Sequence, residues 1–124
     1  MTMTARLGAG DTSRARHLVA EALSGRAQSL IDTAQLLTSE IMTNALVHAS
    51  GDVVLGVDLT DKVVRVEIED SGPMTALAPI YVVAHSEHGR GLSVVDTLAT
   101  AWGVDRRGRA KAVWFELDLD SVEP

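Results

Sequence analysis

The spacing of hydrophobic residues changes once along this 124-residue chain, near residue 50, and that change limits the folds the chain can adopt. Before it, apolar residues recur every three or four positions, as in helices with one buried face. After it, they alternate with polar residues, as in strands with one buried face. Because helices and strands are grouped rather than strictly alternating, we predict an α+β fold. It would be a two-layer sandwich with helices on one face of a mixed, mostly antiparallel sheet.

The first half of the chain predicts two helices. One is capped by residues 11–13 and stops near Gly25; the other starts near Ser29 or Asp32 and ends at 49–51. One apolar stripe marks the buried side of the second helix: Leu30, Ala34, Leu37, Ile41 and Ala45.

Beyond residue 50, alternation over 53–59 and 64–69 predicts a β-hairpin. Residues 71–88 lose all periodicity, and so long a loop in a small domain is usually functional. A third helix should follow, with five buried residues: Leu92, Val95, Leu98, Ala99 and Trp102. Residues 102–104 should form a short strand paired with a final strand at 113–119. We predict a loose N-terminal or edge segment at 1–12 and one domain at 13–120.

Composition excludes several classes of protein. The net charge of −6 disfavours direct nucleic-acid binding, although Arg106, Arg107, Arg109 and Lys111 form one basic cluster. The chain has no cysteine, which excludes disulfides and thiolate chemistry. No apolar run approaches the roughly 20 residues that span a membrane, and the first residues do not resemble a signal peptide. A cytoplasmic protein without membrane contact is therefore expected.

Three polar groups are candidates for chemistry. Glu40, Asn44 and His48 are spaced by four on the second helix and line one side of it, beside the apolar stripe. They can face a ligand, water or metal, or they can be a solvated flank with a hydrogen-bonded core histidine. Asp70 shares parity with the buried residues of its strand, and Gly72 follows it; together they can bind an amino group at close approach or form an ordinary turn.

The third group is Gly89-Arg90-Gly91-Leu92, at the start of the third helix. Glycines before a helix expose backbone N–H groups at the positive end of its dipole, which suits a phosphate, and Arg90 can add charge. The alternative is a simple entry turn.

In this order, the motifs resemble the GHKL (Bergerat-fold) ATPases. SEIMTNALVHA resembles the N box of the small stand-alone branch of anti-sigma factors with serine-kinase activity, and GRGLSVVDTLATAWGV resembles its second glycine box. The resemblance covers about 13–119 and implies ATP and Mg²⁺ as cofactors. It makes Glu40 the general base, Asn44 the Mg²⁺ ligand and Asp70 the acceptor of the adenine amino group.

The resemblance also places Gly72 beside the base, residues 71–88 in an ATP lid, and Gly89, Arg90 and Gly91 around the phosphates. His48 and Leu92 belong to the same motifs and count as cofactor-binding positions. Two departures stand out: Pro73-Met74 where a second glycine is usual, and Ala112 where a threonine commonly assists adenine binding.

The function implied by the resemblance is a serine/threonine protein kinase of the anti-sigma-factor type. Its partner would resemble an anti-sigma-factor antagonist, and a sigma factor is a further candidate partner. A non-catalytic switch, in which ATP only changes protein binding, and a module without nucleotide binding are the alternatives. The family often dimerises, so a homodimer is one expected state. The histidine-bearing helix of a sensor kinase and the second domain of larger relatives do not fit in this length.

Overall fold

Eight elements make up the fold. This structure, a computed structural model, describes residues 1–48, 51–70 and 90–120, with side chains for 1–46, 51–70 and 93–120. The elements follow in the order β1 (Thr2–Leu7), α1 (Thr12–Ala22), α2 (Gln28–His48), β2 (Val53–Leu59), β3 (Val63–Asp70), α3 (Arg90–Leu98), β4 (Ala101–Arg107) and β5 (Ala110–Asp118). The two predicted helices, the hairpin and the final strand pair are confirmed. The third helix is confirmed over Arg90–Leu98, but it ends before Ala99 and Trp102, which were predicted to be buried in it.

The five strands form one sheet in the order β1-β2-β3-β5-β4, and each neighbouring pair is antiparallel. The helices pack on this sheet: α2 contacts α1, α3, β3 and β5, and α1 contacts β2. The predicted α+β sandwich is therefore confirmed. The predicted sheet was mixed and mostly antiparallel. Among the described strands every pair is antiparallel and no parallel pair occurs.

The N-terminal residues are an edge strand rather than a loose segment. β1 pairs with β2 along its whole length, from Thr2 opposite Asp58 to Leu7 opposite Val53. Leu7 is 1% exposed and belongs to the core. Of the two alternatives predicted for this segment, the structure shows the edge strand, and a loose segment is wrong for β1. Only one side chain of this strand is fully buried, so its sequence lacks the strong alternation that marks an interior strand.

The core lies between the helices and one face of the sheet. Alternate residues of β3, namely Val64, Val66 and Ile68, are fully buried against the helices. Val95 anchors α3 in this core at 0% exposed, but Leu98 is 45% exposed, so the prediction that Leu98 is buried is wrong. The helix ends at Leu98 and a two-residue connection leads to β4, which turns that side chain away from the core.

The other face of the sheet carries charge and one tryptophan. The guanidinium of Arg65 lies 4.1 Å from the centre of the Trp114 ring and bonds Asp105 and Glu116. Gly103 lies opposite Trp114 in the adjacent strand, where a Cβ would come within 2.9 Å of the ring. Glycine is therefore required at this position for the indole to lie flat across β4.

Candidate functional site

The sheet register and the chain connections place three candidate residues, Glu40, Asn44 and Asp70, toward one end of the sandwich. α2 ends at His48, five positions before β2 begins at Val53. The start of β2 lies beside the end of β3, because Val54 is opposite Glu69, and the end of β3 lies beside the start of β5. The last turns of α2, the end of β3 and the start of β5 therefore meet at the same end of the fold.

Glu40 and Asn44 lie one helical turn apart near the end of α2. Both are half-buried, while Ile41 and Ala45 beside them are in the core. The Nδ2 atom of Asn44 is buried and has no hydrogen-bond acceptor among the residues described. An orphaned buried amide costs about 1–3 kcal/mol. A missing ligand is one reason for a fold to tolerate that cost. The prediction that these residues lie beside the core is confirmed; that they bind a ligand stays a prediction.

The side-chain oxygen of Asn44 is of a type that binds a magnesium ion. An asparagine offers one oxygen, and Mg²⁺ often takes only one or two protein oxygens, completing its shell with phosphate oxygens and water. In the described part of the chain, no three His, Asp or Glu side chains are grouped to hold a metal. A cation at Asn44 would therefore depend on the phosphates of a bound nucleotide.

Asp70 ends β3 on the core side of the sheet, as its parity predicts. Its side chain is 1% exposed, and its Oδ1 atom accepts a hydrogen bond of 2.8 Å from Nζ of Lys111. Lys111 is 0% exposed and lies directly opposite Asp70 in β5. A buried cation and a buried carboxylate thus form one ion pair at the rim of the core.

Lys111 lies beside the candidate residue Asp70 and is not among the residues that the motifs predict for the site. The sequence places it in one basic cluster with three arginines, yet it shares parity with Val113, Phe115 and Leu117, all buried in β5. That alternation was available in the sequence and indicates a core-facing lysine. The opposing carboxylate, 41 residues earlier in the chain, was not available, because it depends on which strand β5 joins.

The sheet register also shows which residue of β5 lies beside Asp70, and it is not Ala112. The sequence analysis treated this residue as the replacement for a threonine that assists adenine binding. In the structure Ala112 is opposite Glu69, one step off the core-facing row, and the residue beside Asp70 is Lys111. The side chain directly beside Asp70 is therefore the lysine, and the effect of Ala112 on ATP binding stays a prediction.

The glycine motif is only partly within the described residues. Gly72 and Gly89 lie outside them, as do the lid residues 71–88, and for His48 and Leu92 the backbone alone is described. The helix α3 begins at Arg90, so Gly91 lies within its first turn instead of preceding the helix as predicted. At the other end of α3, the indole Nε1 of Trp102 donates to Asp96, and Thr100 N donates to Glu116 O. The C-terminus of α3 is thereby tied to the end of β5 remote from Lys111.

The basic cluster does not persist as a patch. Arg107 bonds Glu67 and Glu69 on the open face of the sheet, and these hydrogen bonds, that to Glu67 first, raise the pKa of its guanidinium. Lys111 points to the core face instead, so two of the four cations are neutralised by carboxylates.

Two surface cavities of the described residues lie away from this end of the fold. One is a depression on the open face, where Gly56 lacks a side chain between Thr4 and Glu67; the other lies between β1 and α1. Neither contains a predicted site residue or an arrangement of donors suited to a nucleotide. No helix within the described ranges combines the length and apolarity of a membrane-spanning segment.

Comparison with known proteins agrees with this geometry. A sequence model of the histidine kinase-like ATPase domain matches residues 5–117, which include every described site residue and all of the helices. A search of curated proteins finds no match. The match extends over most of the chain, and the antiparallel sheet with helices on one face is the sandwich expected of such a domain. The chain belongs to the histidine kinase-like ATPase domain family, the GHKL type of ATPase.

Proposed function

We propose that this protein binds ATP with Mg²⁺ and acts as a serine/threonine protein kinase on a protein similar to an anti-sigma-factor antagonist. The observation that carries the proposal is the convergence of Glu40, Asn44 and Asp70 at one end of the sandwich. The Glu40 carboxylate, the side-chain oxygen of Asn44 and the buried Asp70 carboxylate would provide a general base, a cation ligand and an acceptor for the edge of the nucleotide base. Resemblance of residues 39–49 to the N box of the anti-sigma branch supports the choice of substrate class.

Phosphoryl transfer requires mainly positioning and neutralisation of charge. Asp70 would hold the adenine amino group, and Asn44 would help to hold the cation. Bound Mg²⁺ would neutralise charge on the β- and γ-phosphates. Glu40 is half-buried and makes no hydrogen bond or ion pair with any residue in the described ranges. Its carboxylate is thus available to accept the proton of a substrate hydroxyl as that hydroxyl attacks the γ-phosphorus.

Nucleotide binding is tested first, by calorimetric titration of ATP with and without Mg²⁺. We expect wild-type affinity in the micromolar to submillimolar range, strengthened by Mg²⁺. Asp70→Asn should weaken it at least 10-fold, because a hydrogen bond to a charged group is worth about 1.5–3 kcal/mol. Asp58→Asn, on the open face at the other end of the sheet, is the matched control and should bind ATP as the wild type does. Wild-type protein that binds no ATP at millimolar nucleotide would refute the proposal.

Kinase activity is tested with labelled ATP, Mg²⁺ and candidate antagonist proteins from the same genome. We expect one antagonist to gain phosphate on a serine or threonine. Glu40→Gln should reduce that rate by about 10²–10⁴-fold, the usual contribution of a general base, with ATP affinity retained. Glu21→Gln, an exposed glutamate on α1, is the control. Equal rates for Glu40→Gln and wild type would remove Glu40 from the chemistry.

A non-catalytic switch is the second candidate, and the buried pair of Asp70 and Lys111 favours it. If a base that donates a hydrogen bond to Asp70 displaced Lys111 from the 2.8 Å ion pair, nucleotide binding would be coupled to a change at the start of β5. In this case Glu40→Gln would keep ATP-dependent partner binding, and no candidate would be phosphorylated while a validated kinase of the family works in parallel.

A further inference from the structure

The buried lysine has more hydrogen-bond donors than the described residues use. An ammonium group carries three N–H bonds. One of those of Lys111 goes to Asp70, and none of the described residues accepts the other two. A fully buried charge with unused donors is costly. Burial of an apolar side chain at this core-facing position of β5 would cost less free energy than burial of a charged one. The two unused donors of Lys111 therefore point to a ligand.

Apolar side chains line the core side of the Lys111–Asp70 pair. One step deeper along the same two strands, Ile68 lies opposite Val113, and both are fully buried. The core-facing side of β3 and β5 therefore presents an apolar pair next to a polar pair. Small-molecule sites commonly combine an apolar lining with a few polar groups that fix orientation. The polar pair lies at the rim, since β3 ends at Asp70 and β5 begins at Ala110.

The order of donor and acceptor selects the ring. Asp70 is an acceptor and Lys111 is a donor, 2.8 Å apart. The Watson–Crick edge of adenine places an amino donor next to the N1 acceptor, which is the complementary order. Guanine carries a carbonyl and an N–H group at these two positions, so it meets the same pair with donor and acceptor exchanged.

We propose that Lys111 is a base-contacting residue: it donates a hydrogen bond to N1 of a bound adenine while Asp70 accepts one from the 6-amino group. This inference rests on the proposed ATP binding and deepens it, because it assigns the selectivity for adenine to two opposed residues of β3 and β5. No bond other than these hydrogen bonds forms or breaks. The two alternatives are an ion pair that only completes the core, and a lysine that blocks the site until it is displaced.

The test compares ATP with 1-deaza-ATP, in which a C–H group replaces N1. Affinities are measured by titration for wild type, Lys111→Met and Lys62→Met. The control removes the same charge at the β2–β3 turn, the opposite end of the sheet. We expect wild type and Lys62→Met to bind 1-deaza-ATP about 10- to 100-fold more weakly than ATP, as for one hydrogen bond to a charged group. Lys111→Met should bind the two nucleotides within about 3-fold of each other.

Each other outcome overturns the proposal in a distinct way. If wild type binds ATP and 1-deaza-ATP equally, Lys111 does not contact N1, while ATP binding itself stands. If Lys111→Met binds ATP more tightly than wild type, the lysine blocks the site. If wild type prefers GTP, the donor order is exchanged. If wild type binds no ATP, the proposed function fails together with this inference. Should Lys111→Met not fold, the wild-type comparison decides alone, because it needs no variant.

Discussion

Replacing Lys111 by methionine removes the buried cation that hydrogen-bonds Asp70 and keeps most of the apolar length of the side chain. For unit charges near the 2.8 Å contact distance, at an effective dielectric constant of about 20, the attraction is worth roughly 6 kcal/mol. Most of that attraction offsets the desolvation of two buried ions. Breaking such a pair from one side leaves the desolvation cost of the other ion, and typically destabilises a protein by about 3–5 kcal/mol.

Lys111→Met should therefore lower the free energy of unfolding by about 3–5 kcal/mol. In a domain of this size that loss corresponds to a decrease in Tm on the order of 10–20 °C. Asp70→Leu should cost a similar amount. The double variant Asp70→Leu/Lys111→Met leaves neither member of the pair buried without the other, so its loss should be smaller than the sum of the two single losses.

Urea unfolding followed by circular dichroism measures this cycle, with the slope m required to stay constant among the variants. Lys62→Met is the matched control, and a change within about 0.5 kcal/mol is expected for that exposed residue. The reasoning is refuted if Lys111→Met lies within about 1 kcal/mol of wild type. It is also refuted if the double variant loses the sum of the two single losses, because the residues would then not interact.

Two further substitutions test the packing of the sheet. Leu7→Ala should lower the free energy of unfolding by about 2–5 kcal/mol, because Leu7 is 1% exposed and lies in the core. The control Arg6→Ala, at the exposed neighbour, should lower it by under about 0.5 kcal/mol. Equal effects in urea unfolding would mean that β1 does not close the core. Gly103→Ala should cost about 1–3 kcal/mol and change tryptophan fluorescence, because its Cβ would meet the Trp114 ring at 2.9 Å. Gly51→Ala, with nothing within 4 Å, should change neither quantity, and a Gly103→Ala variant as stable as wild type would contradict the close approach.

The buried pair connects the stability of the domain to its proposed function. If Lys111 and Asp70 both contact a base, ATP binding should recover part of the cost of burying them, and saturating nucleotide should raise Tm more in wild type than in Lys111→Met. At the rim of the core, Lys111 carries hydrogen-bond donors that no described residue accepts. A polar rim of this kind is less stable than an apolar one, and it favours a ligand that accepts those hydrogen bonds.

The sequence by itself determined most of the helices and strands of this protein and the local placement of several candidate site residues. Helical spacing and period-two alternation are local properties, so α2, the β2–β3 hairpin and the parity of Asp70 could be read from consecutive residues. The spacing of Glu40 and Asn44 also placed both on one side of a single helix. These predictions depend on residues only a few positions apart, and the structure agrees with them.

The tertiary structure alone decided which strands are neighbours. β5 joins β3 across the intervening α3 and β4, and only that pairing puts Lys111 opposite Asp70 and moves Ala112 off the core-facing row. The same holds for β1, which becomes a strand because β2 offers it an edge, and for Gly103, whose lack of a side chain matters only under Trp114. Pairing across dozens of residues reflects burial and register over the whole sheet, which no local pattern records.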